Sequence, residues 1–221
     1  WETVAERIGG QKQALCVVNS RKSAQTVYDL LDKEGAFHLS TLMYPAHRKA
    51  MLKEIRARLK DGLPCQVVST SLIEAGVDVD FPSVFREEAG LDSILQAAGR
   101  CNREGKRPVG ESIVTIFQSE TPQPSLLELP VAAGRQALRS YDQPDSQEAI
   151  RCYFQELLDL KGPEALDQKN ILTVMEREFM PFRRIAERFH LIDSETKIVY
   201  IPLGEGEELV RRLRSGEHSR A

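Results

Sequence analysis

Patterns that hold a metal are missing from this chain. Its 4 cysteines (Cys16, Cys65, Cys101 and Cys152) stand far apart without a C-x-x-C pair. Its 4 histidines (His38, His47, His190 and His218) form neither an H-x-x-x-H nor a His-Asp pair, so no metal site is expected. Cys16 and Cys65 lie inside apolar runs, where a thiol behaves as a small buried hydrophobe. No apolar run approaches the ~20 residues of a membrane span, and the chain does not open on a signal-peptide pattern. A cytoplasmic location without a membrane partner is expected. Positive charge is not in excess: 30 Lys and Arg face 33 Asp and Glu, a net charge of -3. That excludes a blanket nucleic-acid coat but leaves room for a local groove, because binding depends on where the cations cluster. Lys49, Lys53, Arg56, Arg58 and Lys60 make one cluster, Arg183, Arg184 and Arg188 another, and Arg211, Arg212 and Arg214 a third.

What is present describes an ordinary globular protein. The 221 residues, 41% hydrophobic and 29% charged, suffice for one α/β core and a smaller companion domain. Apolar runs at 14–18, 37–42, 65–70, 84–86 and 113–117 read as strands of a sheet covered on both faces. Helical patterns alternate with them. Residues 1–8 read as a helix, and Ala24, Val27, Tyr28 and Leu31 share a helix face that stops at Gly35. Pro45 opens another helix, with Met51, Leu52, Ile55 and Leu59 inward until Gly62. This rhythm predicts βαβ units with right-handed crossovers, hence an open parallel sheet with helices on both faces. Ligands in such folds bind at the carboxyl ends of the strands, which singles out the loops after Val18, Thr70 and Arg86.

The stretch 95–103 (Leu-Gln-Ala-Ala-Gly-Arg-Cys-Asn-Arg) carries the sharpest pattern. Asp92 or Ser93 can cap a helix there. Gln96, Arg100 and Arg103 fall at i, i+4 and i+7, on one face. Ile94, Ala98 and Cys101 fall on the opposite face, which can bury. Arginine offers a fixed fork of donors that fits phosphate oxygens and never loses its charge. A solvated helix face gives the same spacing, so the order and flanks of the stretch decide.

Those flanks resemble a known family. The run 96–105 (QAAGRCNREG) is similar to motif six, Q-x-x-G-R-x-x-R, of superfamily-two helicases, and above all to the CRISPR-associated helicase–nuclease of type I systems. Residues 18–25 (VNSRKSAQ) resemble motif four, and 69–81 (STSLIEAGVDVDF) motif five, where Glu74, Gly76 and Asp78 match together. The three motifs stand in the family's order over roughly residues 14–118, and imply a second RecA-like domain. The resemblance implies catalytic roles for Gln96, Arg100 and Arg103, with the arginines reaching the γ-phosphate of ATP across a domain cleft. A guanidinium placed there is worth roughly 10³–10⁵ in rate. Gly76 and Asp78 would face the nucleotide beside them. Asn19, Ser20, Arg21, Ser69 and Thr70 would line the DNA backbone, since short polar side chains and free N–H groups at a helix start suit phosphates. Plain capping of the helix accounts for Asn19 and Ser20 equally well.

The RecA-like domain is expected at 1–119, and a linker with a helix at 120–145. Pro122 and Pro124 mark the linker, and Pro130 starts its helix. A smaller, mostly helical α+β accessory region follows at 146–221. Asp145 and Glu148 form a capping box ahead of a core stripe of Ile150, Tyr153, Phe154, Leu157 and Leu158. Helices at 170–179, 181–189 and 207–213 and a strand at 197–201 are expected, then a tail that reads as truncated. The resemblance, looser here, implies a domain that closes over single-stranded DNA and faces an RNA-guided surveillance complex. Arg183, Arg184 and Arg188 are its expected backbone contacts.

An ATPase also needs G-x-x-x-x-G-K-[ST] and a D-E-x-[DH] box. Gly105-Lys106 is followed by Arg107, and Glu87-Glu88-Ala89-Gly90 does not match the acidic box. ATP and Mg²⁺ are therefore expected in the full-length enzyme and not on this fragment, which should be inactive alone. Expected partners are single-stranded DNA, the surveillance complex, the N-terminal helicase and nuclease domains of the same protein, and an inhibitor protein. Two other readings remain: a fragment of another superfamily-two RNA or DNA helicase, and a non-catalytic module that docks on a surveillance complex or inhibitor protein. Ala97-Ala98 and Arg103-Glu104-Gly105 weigh against the first.

Overall fold

A computed structural model describes the chain except for residues 75, 163, 164, 166, 178, 190–196 and 217–221. His190, His218 and the tail lie outside the described residues. The chain divides into two compact units, residues 1–166 and 167–221. The boundaries expected at 119 and 145 both fall inside the first.

In the first unit, Gln13–Val17 (β1), Ala36–Leu39 (β2), Cys65–Ser69 (β3), Ser83–Glu87 (β4) and Ile113–Phe117 (β5) form one parallel sheet. Its order is β2-β3-β1-β4-β5. Alternation fixes the two faces. Leu15 and Val17 join Val67 and Val84 in a core closed by Ile55 and Ala97, whereas Cys16 and Val18 join Val68 and Phe85 in a core closed by Ile8, Ala24 and Val27. Helices α3 (Pro45–Lys60) and α4 (Leu91–Ala98) therefore cover one face, and α1 (Glu2–Gly9) and α2 (Arg21–Leu30) the other. This is the RecA-like layering that continuous apolar strands demand, because both faces of each strand must be hidden from water. Burial pushes the Cys16 and Cys65 thiols up, Cys65 to about 12, as expected of thiols packed as small hydrophobes.

A helical hairpin completes the first unit. Helices α5 (Ser125–Ser140) and α6 (Gln147–Lys161) place Ala133, Ala137, Ala149 and Tyr153 against Leu91. The backbones meet so closely that a Cβ on Gly134 would stand 3.1 Å from the Ala89 carbonyl oxygen. Polar bonds add direction: the Tyr153 hydroxyl donates to Asp92 at 2.6 Å, and Arg135 grips the Glu88 carboxylate at 2.6 and 2.5 Å. Two expectations are corrected here. Helix α5 begins at Ser125, with Pro130 inside it; the carbonyl that loses its partner belongs to Leu126, a residue 86% exposed and so within reach of water. Helix α6 is capped by Ser146, whose hydroxyl accepts from the Ala149 amide at 3.2 Å, and not by an Asp145–Glu148 box.

The second unit contains helices Ile171–Arg177, Phe182–Arg188 and Glu205–Arg214. The Asp167 carboxylate accepts from the amides of Ile171, Leu172 and Thr173, which fixes the start of the first of these. The strand expected at 197–201 does not form. Those residues carry no regular structure, and Ile198 and Val199 are 82% and 78% exposed. An apolar run becomes a strand only where a sheet edge accepts it. Among the described residues, no helix is long and apolar enough to cross a membrane.

Candidate functional site

Helix α4 is shorter than its sequence suggests. Its N-cap is Gly90, so Asp92 and Ser93 lie inside the first turn, and it ends at Ala98. Beyond Gly99 the chain leaves the helix, and Asn102 takes a left-handed φ of 48°. The Phe81 amide donates to the Arg100 carbonyl and the Asn102 amide to the Phe81 carbonyl, both at 2.9 Å. Residues 100–102 thus run beside Phe81, just before the amino end of β4. The single helical face of Gln96, Arg100 and Arg103 is not formed. Only Gln96 stays on the helix, exposed, and Cys101 reaches the core from the turn. Backbone pairing to Phe81, whose side chain is fully buried, overrides the local helical pattern.

The two arginines have different surroundings. Arg100 is buried, and its guanidinium donates to the Ile73 carbonyl at 3.2 Å and the Glu74 carbonyl at 2.5 Å. Arg103 is 43% exposed and lies 3.1 Å from the Asp78 carboxylate, itself 80% exposed. A surface pair of this kind is worth only ~0–1 kcal/mol, so Arg103 can trade Asp78 for another anion at small cost. Gly76 turns the chain at a φ of 70°. Val77, Val79 and Phe81 then alternate into the core and leave Asp78 and Asp80 outward. Asp80 accepts from the Arg103 amide at 2.7 Å and from Arg107 at 3.0 Å. A cavity of about 490 Å³ opens here, lined by Arg56, Lys60, Asp78, Asp80, Lys106 and Arg107 among others.

Of the residues expected at DNA, Asn19, Ser20, Arg21, Ser69 and Thr70 lie at the carboxyl ends of β1 and β3, but most point inward. The Asn19 side chain donates to the Glu88 carbonyl and to Gln123, and accepts from Arg86 at 2.8 Å. Ser69 is fully buried and donates to the Thr70 carbonyl; Thr70 is buried too. Ser20 caps α2, its hydroxyl accepting from the Ser23 amide at 2.9 Å. Arg21, the first residue of α2, is exposed.

One group at this end carries no expectation from the motifs. Arg86, 2% exposed, donates to the Glu87 carbonyl at 2.7 Å and to the Ser93 hydroxyl at 2.9 Å, besides Asn19. Its Nε lies 3.3 Å from the Glu74 carboxylate, to which Ser93 also donates at 2.9 Å. Burial pushes the Glu74 carboxyl up against the opposing pull of Arg86. The signal available in the sequence was a charged residue at the end of an apolar run.

In the second unit, Arg183 pairs with Glu187 at 3.2 Å on the surface, and Arg188 donates to the Asn170 carbonyl at 2.9 Å. Arg184 and Arg188 border a cavity of about 260 Å³ together with Arg177. Among the described residues, no group of three or more His, Cys, Asp and Glu side chains is placed to hold a metal ion.

Known proteins share this architecture. Residues 10–106 match the family described as CRISPR-associated nuclease/helicase Cas3, C-terminal. The CRISPR-associated nuclease/helicase Cas3 of Haloferax volcanii is 41% identical over 78 residues, 34% of this chain and 8% of that protein. The one from Methanothermobacter thermautotrophicus is 29% identical over 137 residues, 60% of this chain and 16% of that protein. The crystal structure of T. fusca Cas3 with ATP matches 85% of this chain and 24% of its own at a TM-score of 0.54 and 18% identity, which is a likeness of fold. The chain thus spans less than a quarter of the length of each of these relatives.

Proposed function

We infer, from a chain whose residues 10–106 match the Cas3-like C-terminal family, that it supplies the second RecA-like half of an ATP-driven motor on single-stranded DNA, within a CRISPR-associated helicase–nuclease. The observation that carries this reading is Arg103, a half-exposed guanidinium paired with an exposed carboxylate. Such a group fits the terminal phosphate of an ATP brought by the N-terminal helicase domain of the same protein. There it would steady the charge that builds up in phosphoryl transfer. Asp78 would hold Arg103 until the phosphate displaces it, with Gly76 shaping the turn and Gln96 exposed on α4. Arg100 acts from within, fixing the turn after β3. Mg²⁺ would arrive with the ATP that the N-terminal helicase domain holds.

Ser20 and Arg21 would meet DNA phosphates at the start of α2, while Asn19, Ser69 and Thr70 shape that surface from inside. Arg183, Arg184 and Arg188 would give the second unit its own backbone contacts. The RNA-guided surveillance complex, and an inhibitor protein that blocks the motor, are the protein partners of this reading. The chain alone hydrolyses no ATP and cuts no DNA. In the longer enzyme, Arg103→Ala should lower DNA-stimulated ATP turnover by about 10³-fold. The isolated chain should bind single-stranded DNA with an affinity that falls steeply with salt, because phosphate contacts release counterions. Turnover in the longer enzyme that ignores Arg103, or phosphate release by this chain alone, overturns the reading.

A further inference from the structure

We propose that Arg86 is a positioning residue that links the loop after β1, the turn after β3 and the first turn of α4, so that DNA and nucleotide act on one buried element. The inference rests on the motor reading above, and Arg86 itself touches neither ligand.

The argument runs through Glu74, which is held from two sides. Its carboxylate meets Arg86 Nε at 3.3 Å and receives the Ser93 hydroxyl at 2.9 Å. Its main-chain carbonyl receives the Arg100 guanidinium at 2.5 Å. Arg86 also donates to Asn19 Oδ1 at 2.8 Å, and the Asn19 amide donates to the Glu87 carboxylate at 2.7 Å. One guanidinium, 2% exposed, therefore joins the segment that leads to Ser20 and Arg21 with the turn that Arg100 fastens. Loops are commonly independent of one another because water replaces any bond they lose. Arg86 is 2% exposed, and a buried charge that loses a partner keeps its full desolvation cost. A shift of the 19–21 loop onto a phosphate must then be followed by Glu74, and Glu74 carries with it the carbonyl that anchors Arg100. The turn that Arg100 fastens leads through Gly76 to Asp78, the partner of Arg103.

A core ion pair that served stability alone would behave differently. Losing it would lower every activity in proportion to the folded fraction, with or without DNA. The test uses Glu74→Gln, Arg86→Lys and Ser93→Ala in the longer enzyme, with ATP turnover measured across a single-stranded DNA titration. Each variant should lose about tenfold of the DNA-dependent turnover while KM for ATP and DNA-independent turnover stay within about twofold of the parent. The double variant Glu74→Gln/Ser93→Ala should be no worse than the more affected single one, since residues in one chain of contacts do not act additively. Should Arg86→Lys fail to fold, Ser93→Ala decides, because alanine favours the helix it sits in. Stimulation equal to the parent overturns the proposal, as does an equal fall with and without DNA. A parent enzyme with no DNA-stimulated turnover instead overturns the motor reading.

Discussion

The two ends of the sheet treat charge in opposite ways. At the carboxyl end, Arg86, Glu74, Glu87 and Ser93 are buried or nearly so, and are bonded to one another and to the backbone. At the amino end of β4, Arg103 and Asp78 are exposed, and Arg56, Lys60 and Lys106 line the open cavity beside them. The residue types are the same; the solvent is not. A charge pair out of water cannot separate without a large cost, whereas the same pair in water separates for almost nothing. The first end is thus suited to hold geometry and the second to exchange partners.

Substitutions can break this contrast. The largest effect is expected from Arg86→Met, which leaves Glu74 buried without its cation; removing one partner of a buried pair costs about 3–5 kcal/mol. Urea melts of the chain should show that loss, and a change below about 1 kcal/mol would refute the buried character of the pair. An intermediate effect is expected at Glu88, where the Arg135 guanidinium holds the carboxyl below the usual range. Its folded pKa being depressed, the stabilisation is complete above the unfolded value of about 4.3 and is lost as pH falls through the lower folded one. Arg135→Met should therefore remove about 1 kcal/mol at neutral pH, discounted for the half-exposed arginine, and flatten the fall in thermal midpoint below about pH 4.3. The smallest effect is expected from Asp78→Asn, which should shift stability by less than about 0.5 kcal/mol in the same melts. A larger loss would mean that Arg103 is held far more firmly than its exposure implies.

The sheet itself was legible before any coordinates. Runs such as Ala14-Leu15-Cys16-Val17-Val18 are apolar at every position, and only a strand hidden on both faces tolerates that. The helices α2 and α3 followed from their apolar spacing and from Ser20 and Pro45 at their starts. The end of α4 was not legible. Its local sequence continues the helical pattern through Arg103, and what stops it is a pair of hydrogen bonds to Phe81, a residue distant in sequence. The strand expected at 197–201 failed for the converse reason, since its composition was right and no sheet edge received it. At the carboxyl end, Asn19 and Ser69 looked available because short polar residues after strands usually are. Arg86 and Glu88 at the end of β4, and Gln123 beyond β5, engage Asn19, and Ser69 sits at zero exposure in the packed sheet.

By itself the sequence determined the layered α/β class, the resemblance of three motifs over roughly residues 14–118 to superfamily-two helicases, and the chemistry on offer, a pair of arginines three residues apart. Those depend on residue type and local period, which the chain carries along its length. Tertiary structure alone decided which arginine faces outward, which polar groups are bonded internally and that Arg86 contacts Asn19, Glu74 and Ser93 at once. The strength and freedom of a charge are set by how much water surrounds it, and that is fixed only when distant segments close over it.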